Sequence, residues 1–331
     1  MGLEALLQRH WWQPRRTWLA QALRPLSGLY RLLAGRAACR PAQPSPVPVI
    51  VVGNLVAGGA GKTPTVIALV QALRDAGRVP GVISRGHGGA GDGVRAVGAF
   101  DAAADAGDEP ALIRRRTGVP VWVGRDRPAA ARALCAANPE VDVLVSDDGL
   151  QHAPLARAAE LVVFDERGIG NGLLLPAGPL REALPAAWPP CRRVLYNAPR
   201  PSTPVPGALA ERRLADALDL AHWHANRRAE AVPLAALRGR PLLAAAGIAA
   251  PERFFGMLEA EGLTIERLAL PDHHGYDTLP WPPATPDVVV TEKDAVKLDP
   301  HAMGGTRVWV VGLDFALPSA LVADLLADIR P

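Results

Sequence analysis

The residues of this chain best suited to do chemistry are a lysine and a threonine that close a glycine-rich run, Gly58-Gly59-Ala60-Gly61-Lys62-Thr63. Glycines at 58, 59 and 61 let backbone amides close around a polyphosphate without Cβ clashes. A helix starting near Thr63 adds the partial positive charge of its N-terminus. Lys62 is placed to reach β- and γ-phosphates and the Thr63 hydroxyl to ligate Mg²⁺, so the run reads as a phosphate-binding loop for a nucleotide. One position departs from the usual Gly-x-x-x-x-Gly-Lys-Thr spacing: Val56 stands where the first glycine belongs.

Such a loop works only between a strand and a helix. Pro48-Val-Ile-Val-Val-Gly supplies the strand, and the pattern then alternates. A helix runs to about Gly77, followed by a strand at 81–86, a helix at 108–117, a strand at 119–123, a helix at 126–137 and a strand at 141–145. Strands alternating with helices of this length imply βαβ crossovers and a parallel sheet covered on both faces. The last strand ends in Asp147 and Asp148, and ligands gather at the carboxyl ends of parallel strands. These two acids are candidates for organising magnesium, with a simple turn as the plainer reading. Kinases, GTPases, ATPases and partition switches share all of these features.

Composition sets broad limits. The chain has 331 residues, 49% hydrophobic and 21% charged, enough for one large core or two moderate ones and too apolar for long disorder. A net charge of +3 mildly favours an anionic partner. Cys39, Cys135 and Cys191 have no Cys-x-x-Cys partner and read as reduced thiols.

Residues 1–40 form a separate unit. Arg9, Arg15, Arg16, Arg24, Arg31, Arg36 and Arg40 face a single acid, Glu4, and are interleaved with Trp11, Trp12, Trp18 and Tyr30. Leu19, Leu23, Leu26, Tyr30 and Leu33 recur at helical spacing on one face. The segment reads as a basic amphipathic helix that lies in a membrane interface rather than crossing it, because Arg24, Pro25 and Arg31 interrupt any span of roughly 18–20 apolar residues. The competing reading is a helix packed on the protein's own core. Beyond it, a kinase domain is expected over 41–225 and a smaller C-terminal α/β domain over 226–331. Strands at 241–246, 265–270, 288–291 and 308–311 and helices at 251–261 and 317–329 build the latter. The expected fold class is therefore α/β, a P-loop NTPase-like parallel sheet with a second small domain and an N-terminal amphipathic helix.

Several blocks together resemble one family. They are Gly53-Asn54-Leu55 leading into Gly58–Pro64, Ser84-Arg85-Gly86, Gly107-Asp108-Glu109-Pro110, Asp147–His152, Gly170-Asn171-Gly172, Leu175–Glu182, Asp272-His273-His274 and Thr291–Ala295. In this order they resemble the tetraacyldisaccharide 4'-kinases of lipid A biosynthesis. The resemblance implies ATP- and Mg²⁺-dependent phosphorylation of the 4'-hydroxyl of an acylated glucosamine disaccharide 1-phosphate. The setting it implies is the anionic cytoplasmic face of a bacterial inner membrane, with no nucleic acid partner. It further implies that Asp108 and His273 are the catalytic pair, and Asp272 is then expected to orient His273. Arg125, Gln151, His152 and Arg181 become substrate-side candidates, and Glu182 a further magnesium ligand. For Asp108 the alternative is a helix cap, and for Arg125, Arg181, Gln151, His152 and Glu182 it is a surface ion pair. Two positions depart from the family pattern, His87 in place of an aromatic hydroxyl and Ala183 in place of proline. With Lys62 and His273 on different domains, transfer requires the two to come together. Two other functions fit the loop alone, a kinase of another sugar or small hydroxyl substrate and a membrane-docked nucleotide switch.

Overall fold

The structure is a computed structural model that describes residues 3–13, 15–38, 41–86, 89, 91, 93–99 and 101–330. Cys39, Arg40 and His87 lie outside the described residues. The chain opens with three helices, α1 (Leu3–Trp11), α2 (Trp18–Ala22) and α3 (Arg24–Ala38). The first domain then runs β1 (Val49–Gly53), α4 (Lys62–Asp75), β2 (Pro80–Ser84), β3 (Arg95–Ala96), α5 (Ala103–Ala106), α6 (Asp108–Thr117), β4 (Val121–Val123), α7 (Arg127–Ala137), β5 (Val143–Asp147), β6 (Ala159–Asp165), β7 (Arg192–Asn197) and β8 (Ala208–Leu209). The second continues with β9 (Glu211–Asp219), α8 (Leu220–His224), β10 (Leu242–Ala246), α9 (Pro251–Ala260), β11 (Ile265–Ala269), β12 (Asp287–Thr291), α10 (Glu292–Ala295), β13 (Arg307–Ala316) and α11 (Ser319–Asp328).

Among the described residues these strands make two sheets. The first has eight strands in the order β3-β4-β2-β5-β1-β6-β7-β8, parallel apart from β3. Its inner strands are buried along their whole length, as a sheet covered on both faces requires. The chain first winds to one side of β1 and then, from β6 onward, to the other. Ligand crevices open at such reversals, outside the carboxyl ends of the strands. The phosphate-binding loop leaves β1 there.

The second sheet has five strands, β11-β10-β12-β13-β9, with β9 antiparallel on β13. The division at residue 225 drawn from the sequence is therefore misplaced, since it would cut β9 away from the strand it pairs with. At the other end the separation is incomplete. Phe315, Leu321, Leu325 and Ile329 return to the core of the first domain beside Val66, Leu69 and Leu73 of α4.

The N-terminal segment also differs from expectation. The single helix expected over 17–35 is divided at Leu23 into α2, capped by the Thr17 hydroxyl accepting from the Ala20 amide at 3.3 Å, and α3. Its inward face carries Ala20, Ser27 and Tyr30, with Leu19 and Leu23 half-buried beside them. Ser27 donates to the Leu174 carbonyl at 2.9 Å and Tyr30 to the Arg181 carbonyl at 2.9 Å. Leu26, Leu29, Leu32, Leu33 and Trp18 are left on the outside, Trp18 78% exposed.

Candidate functional site

The loop after β1 is held by its own side chains. Asn54 donates to the Gly58 carbonyl at 3.0 Å and accepts from Lys62 at 3.3 Å, so one amide fixes both the loop and its cation. Gly58 and Gly61 have φ of 92° and 88°, left-handed values that glycine adopts without strain. A Cβ on Gly61 would collide with the Asn197 amide, and one on Gly59 would sit 2.9 Å from Ala249 of the second domain. Val56 is explained by the same geometry. It is fully buried and bridges Leu180, so the chain at that point lies in a short β-bridge and has no need of glycine.

Asp147 and Asp148, at the end of β5, lie beside this loop. Asp148 has φ 48° and stands 3.7 Å from the Lys62 ammonium, with Arg181 donating to both its oxygens at 3.1 and 3.2 Å. Burial pushes Asp148 upward, but Lys62 and Arg181 outweigh it and hold the carboxyl below its usual range. Asp147 is the opposite case. Its burial, with Glu109 and Asp148 as like charges, lifts it to about 7. Ser84 donates to one Asp147 oxygen at 3.2 Å, while the other, Oδ1, is buried without a partner.

The remaining sequence candidates are brought together unevenly. Gln151 donates to the Asn54 carbonyl at 3.3 Å and so joins the loop. His152 adjoins this acidic turn, and its burial, with Arg127 and Arg157 nearby, depresses it to about 4. Arg125 is exposed in the turn before α7. Glu182 is turned toward Arg192 at 2.9 Å. Arg181 is engaged by Asp148 and stands 3.5 Å from Gln151. Sequence reasoning passed over Arg127, a buried arginine that donates to the carbonyls of Asp147 and Asp148 at 2.9 and 2.8 Å. Its only signal was its place in the helix start after Asp126, which reads as capping. Arg167 and Asn197 were also passed over, and they donate to the Gly59 and Ala60 carbonyls at 2.7 and 3.1 Å.

Across the cleft, Asp108 begins α6 and His273 sits in the loop after β11. Asp108 Oδ2 and His273 Nδ1 are 2.8 Å apart, a contact that joins the two domains. The cap reading of Asp108 is met only locally: its Oδ1 accepts from the Glu109 amide at 2.9 Å, while Gly107 occupies the cap position. Burial raises Asp108, yet the His273 hydrogen bond and the Lys293 charge outweigh it and keep the acid ionised. Asp272 Oδ1 accepts from the His273 backbone amide at 3.1 Å and from Lys293 at 3.3 Å, and lies 3.9 Å from the imidazole.

One cleft between the domains is lined by Lys62 and Thr63 on one side and Glu109, Asp272 and Lys293 on the other. A glycine cradle beside an ionised carboxylate–imidazole pair, at the reversal point of a parallel sheet, defines a P-loop phosphotransferase. A family model described as Tetraacyldisaccharide-1-P 4'-kinase matches residues 19–330. The chain belongs to the tetraacyldisaccharide 4'-kinase family, and it is a kinase. It is 55% identical over 323 residues to the tetraacyldisaccharide 4'-kinase of Leptothrix cholodnii, covering 94% of this chain and 92% of that one. It is 54% identical over 345 residues to that of Methylibium petroleiphilum, covering 99% and 94%. Its fold is similar to the crystal structure of the "apo" form of LpxK from Aquifex aeolicus in complex with ATP. That match has a TM-score of 0.74 at 24% identity and covers 94% of this chain and 100% of that one.

Proposed function

We propose that this enzyme transfers the γ-phosphoryl group of ATP to the 4'-hydroxyl of an acylated glucosamine disaccharide 1-phosphate. The observation that carries the reading is the Asp108–His273 contact, whose neighbours Glu109, Asp272 and Lys293 line one cleft with Lys62 and Thr63. In the transfer, the hydroxyl oxygen bonds to the γ-phosphorus while the bond from phosphorus to the bridging oxygen breaks, its electron pair leaving on ADP. The hydroxyl proton passes to the Asp108–His273 pair. A carboxylate is base enough for this, because a loose phosphoryl-transfer transition state asks for positioning more than for proton abstraction.

The residues suit Mg²⁺ as well as ATP. Asp147 Oδ1 is a buried oxygen without a partner, and no group of three or more potential ligands stands among the described residues. That is the arrangement for a cation that takes one or two carboxylates and completes its shell with phosphate oxygens and water. Asp147, Asp148 and the Thr63 hydroxyl would hold it, and Glu182 would have to leave Arg192 to join them. When bound, Mg²⁺ neutralises charge on the polyphosphate. Arg125, Arg181, Gln151 and His152 are assigned to the phosphorylated acceptor.

The exposed leucines of α3, with Trp18 and the arginines around them, suit a surface of anionic lipid. No helix among the described residues is long and apolar enough to cross a membrane. Peripheral attachment to the cytoplasmic face of the inner membrane is the setting proposed.

The test uses γ-labelled ATP with tetraacyldisaccharide 1-phosphate in detergent micelles. Label should appear on the lipid and require Mg²⁺. Lys62→Ala should cut turnover by roughly three orders of magnitude, the scale of lost charge stabilisation at a transferring phosphoryl group. Asp108→Asn should lose turnover while still binding ATP. Bound ATP with no labelled lipid in the wild-type protein would refute the reading.

A further inference from the structure

The segment Thr291-Glu292-Lys293-Asp294 has so far no part in the chemistry, yet each of its side chains is committed. Thr291 caps α10 by accepting from the Asp294 amide at 3.2 Å. Glu292 pairs with Arg116 of α6 at 2.6 Å. Asp294 accepts from the Gly247 amide through both oxygens at 3.1 Å, and the Gly247 carbonyl in turn accepts from the His273 amide at 3.2 Å. That support is needed, because His273 has φ 59°, a conformation unfavourable for any residue with a Cβ.

Lys293 reaches furthest. Its ammonium lies 3.3 Å from His273 Nε2, 3.3 Å from Asp272 Oδ1, 3.5 Å from Glu109 Oε1 and 4.0 Å from Asp108 Oδ2. Burial lowers Lys293, but Glu109, Asp108 and Asp272 outweigh it and keep the amine charged. An ammonium has three donors and no lone pair, so at Nε2 it can only donate. Nε2 must then be the bare nitrogen, and the ring proton sits on Nδ1, where it points at Asp108.

We infer that Lys293 is a positioning residue that occupies the Nε2 lone pair of His273 and, with Asp108 accepting at Nδ1, holds the ring as its neutral Nδ1–H tautomer, which leaves the Asp108 carboxylate to take the acceptor's proton. Without Lys293 the Nε2 lone pair is open to a proton. The imidazolium so formed would hold Asp108 as an ion pair and make it a weaker base. The charged groups acting on the imidazole include Asp108 from α6, Asp272 from its own loop and Lys293 from α10, with Glu109 of α6 paired to Lys293 and Lys297 acting on Asp108. Lys293 is the cation that lowers His273 against the upward pull of the Asp108 hydrogen bond.

The inference rests on the proposed transfer only for its kinetic readout. The primary measurement is independent of activity: nitrogen-15 NMR of the His273 ring in the full-length protein. Wild type should show hydrogen on Nδ1 and a bare Nε2 near neutral pH, and hydrogen on Nε2 alone would overturn the proposal without any variant. Lys293→Met should let Nε2 take a proton near neutral pH and lower kcat by a factor on the order of 100, the lower end of what general acid–base catalysis contributes. Its KM for ATP should change little. Because the lost cation had been lowering His273, the ring should stay protonated to higher pH and the acid limb of the kcat profile should move upward. Lys293→Arg should keep the wild-type tautomer and limb. If Lys293→Met keeps the tautomer and the limb, Lys293 is only an ion-pair partner and the inference fails. A wild-type protein with the expected tautomer but no lipid phosphorylation would sink the proposed function and leave the His273 assignment standing.

Discussion

Two adjacent carboxylates at the end of β5 are driven in opposite directions, because Lys62 and Arg181 outweigh burial at Asp148, while burial with Glu109 and Asp148 outweighs Lys62 and Arg127 at Asp147. The consequence for Asp147 is a stability cost that depends on pH. Its folded value of about 7 lies above the ordinary 3.8, so the folded state holds the proton more tightly. The ligand-free protein therefore loses this contribution as pH rises from about 4 to about 7. Asp147→Asn resembles the protonated acid. It should leave stability near that of wild type at pH 4 and raise it at pH 8, by an amount on the order of a few kcal/mol before solvent relaxation. Thermal unfolding at the two pH values checks this, and equal effects at both would contradict it. Mg²⁺-ATP should stabilise wild type at pH 8 and the variant much less. At this scale the sequence disclosed most of the site. Lys62, Thr63 and the acid pair sit in motifs whose spacing is local. Arg127 and Lys293 were illegible for the opposite reason, since their roles exist only once α7 lies on β5 and α10 comes against α6 and the loop after β11.

Elements joined by helices were readable, and elements joined by loops were not. The strand–helix alternation located β1, β2, β4 and β5, as well as β10 to β13, within a few residues, and missed the two-residue antiparallel β3. β6 and β7 follow long irregular connections that carry the acidic turn and the 167–182 loop, so no alternation announced them. β9 is an edge strand with a largely polar, half-exposed pattern, and its membership in the second sheet depends on β13. The N-terminal helices show the same limit. Helical spacing located them, but their inward face is small and polar because it lies on backbone carbonyls of the 174–181 loop. That contact matters for testing the lipid surface. Trp11 donates to the Pro176 carbonyl at 2.8 Å, and the Trp12 ring lies 4.2 Å from the guanidinium of Arg167, which holds the Gly59 carbonyl. Deleting the segment would thus disturb the phosphate-binding loop as well as the surface. Point changes separate the two. Leu29→Ser, Leu32→Ser and Leu33→Ser together should weaken partition to anionic vesicles by roughly 100-fold, at about 1 kcal/mol per leucine, and leave ATP affinity unchanged. Trp12→Ala should do the reverse, weakening ATP by about fivefold through the lost cation–π contact. Parallel losses in both assays from either variant would argue against separate roles.

On the scale of the whole molecule, the catalytic pair belongs to two domains, so its geometry depends on what holds them together. Besides the Asp108–His273 and Glu109–Lys293 contacts, Arg116 of α6 joins them. It pairs with Glu292 at 2.6 Å and with Asp314 of β13, and Glu292 is also held by Trp223 Nε1 at 3.0 Å. Burial lowers Arg116, but Glu292 and Asp314 outweigh it and keep the guanidinium charged. Gly312 leaves room for this network, since a Cβ there would stand 2.7 Å from the guanidinium and 2.9 Å from the Glu292 carboxylate. Arg116→Met would strand Glu292, 6% exposed, with only Trp223 and the more distant Arg228 at 3.7 Å. Removing one partner of a buried pair costs about 3–5 kcal/mol, so the melting temperature should fall by roughly 5–10 °C. Adding Glu292→Gln removes the uncompensated charge and should recover part of that loss, which a double-mutant cycle reads directly. Because Arg116 shares α6 with Asp108, and Glu292 adjoins Lys293, the single variant should also lower kcat more than it weakens ATP binding. A double variant no more stable than Arg116→Met would mean that the joint is held by packing, with Leu112 of α6 against Trp223 and Val310 of the second core, rather than by the ion pair.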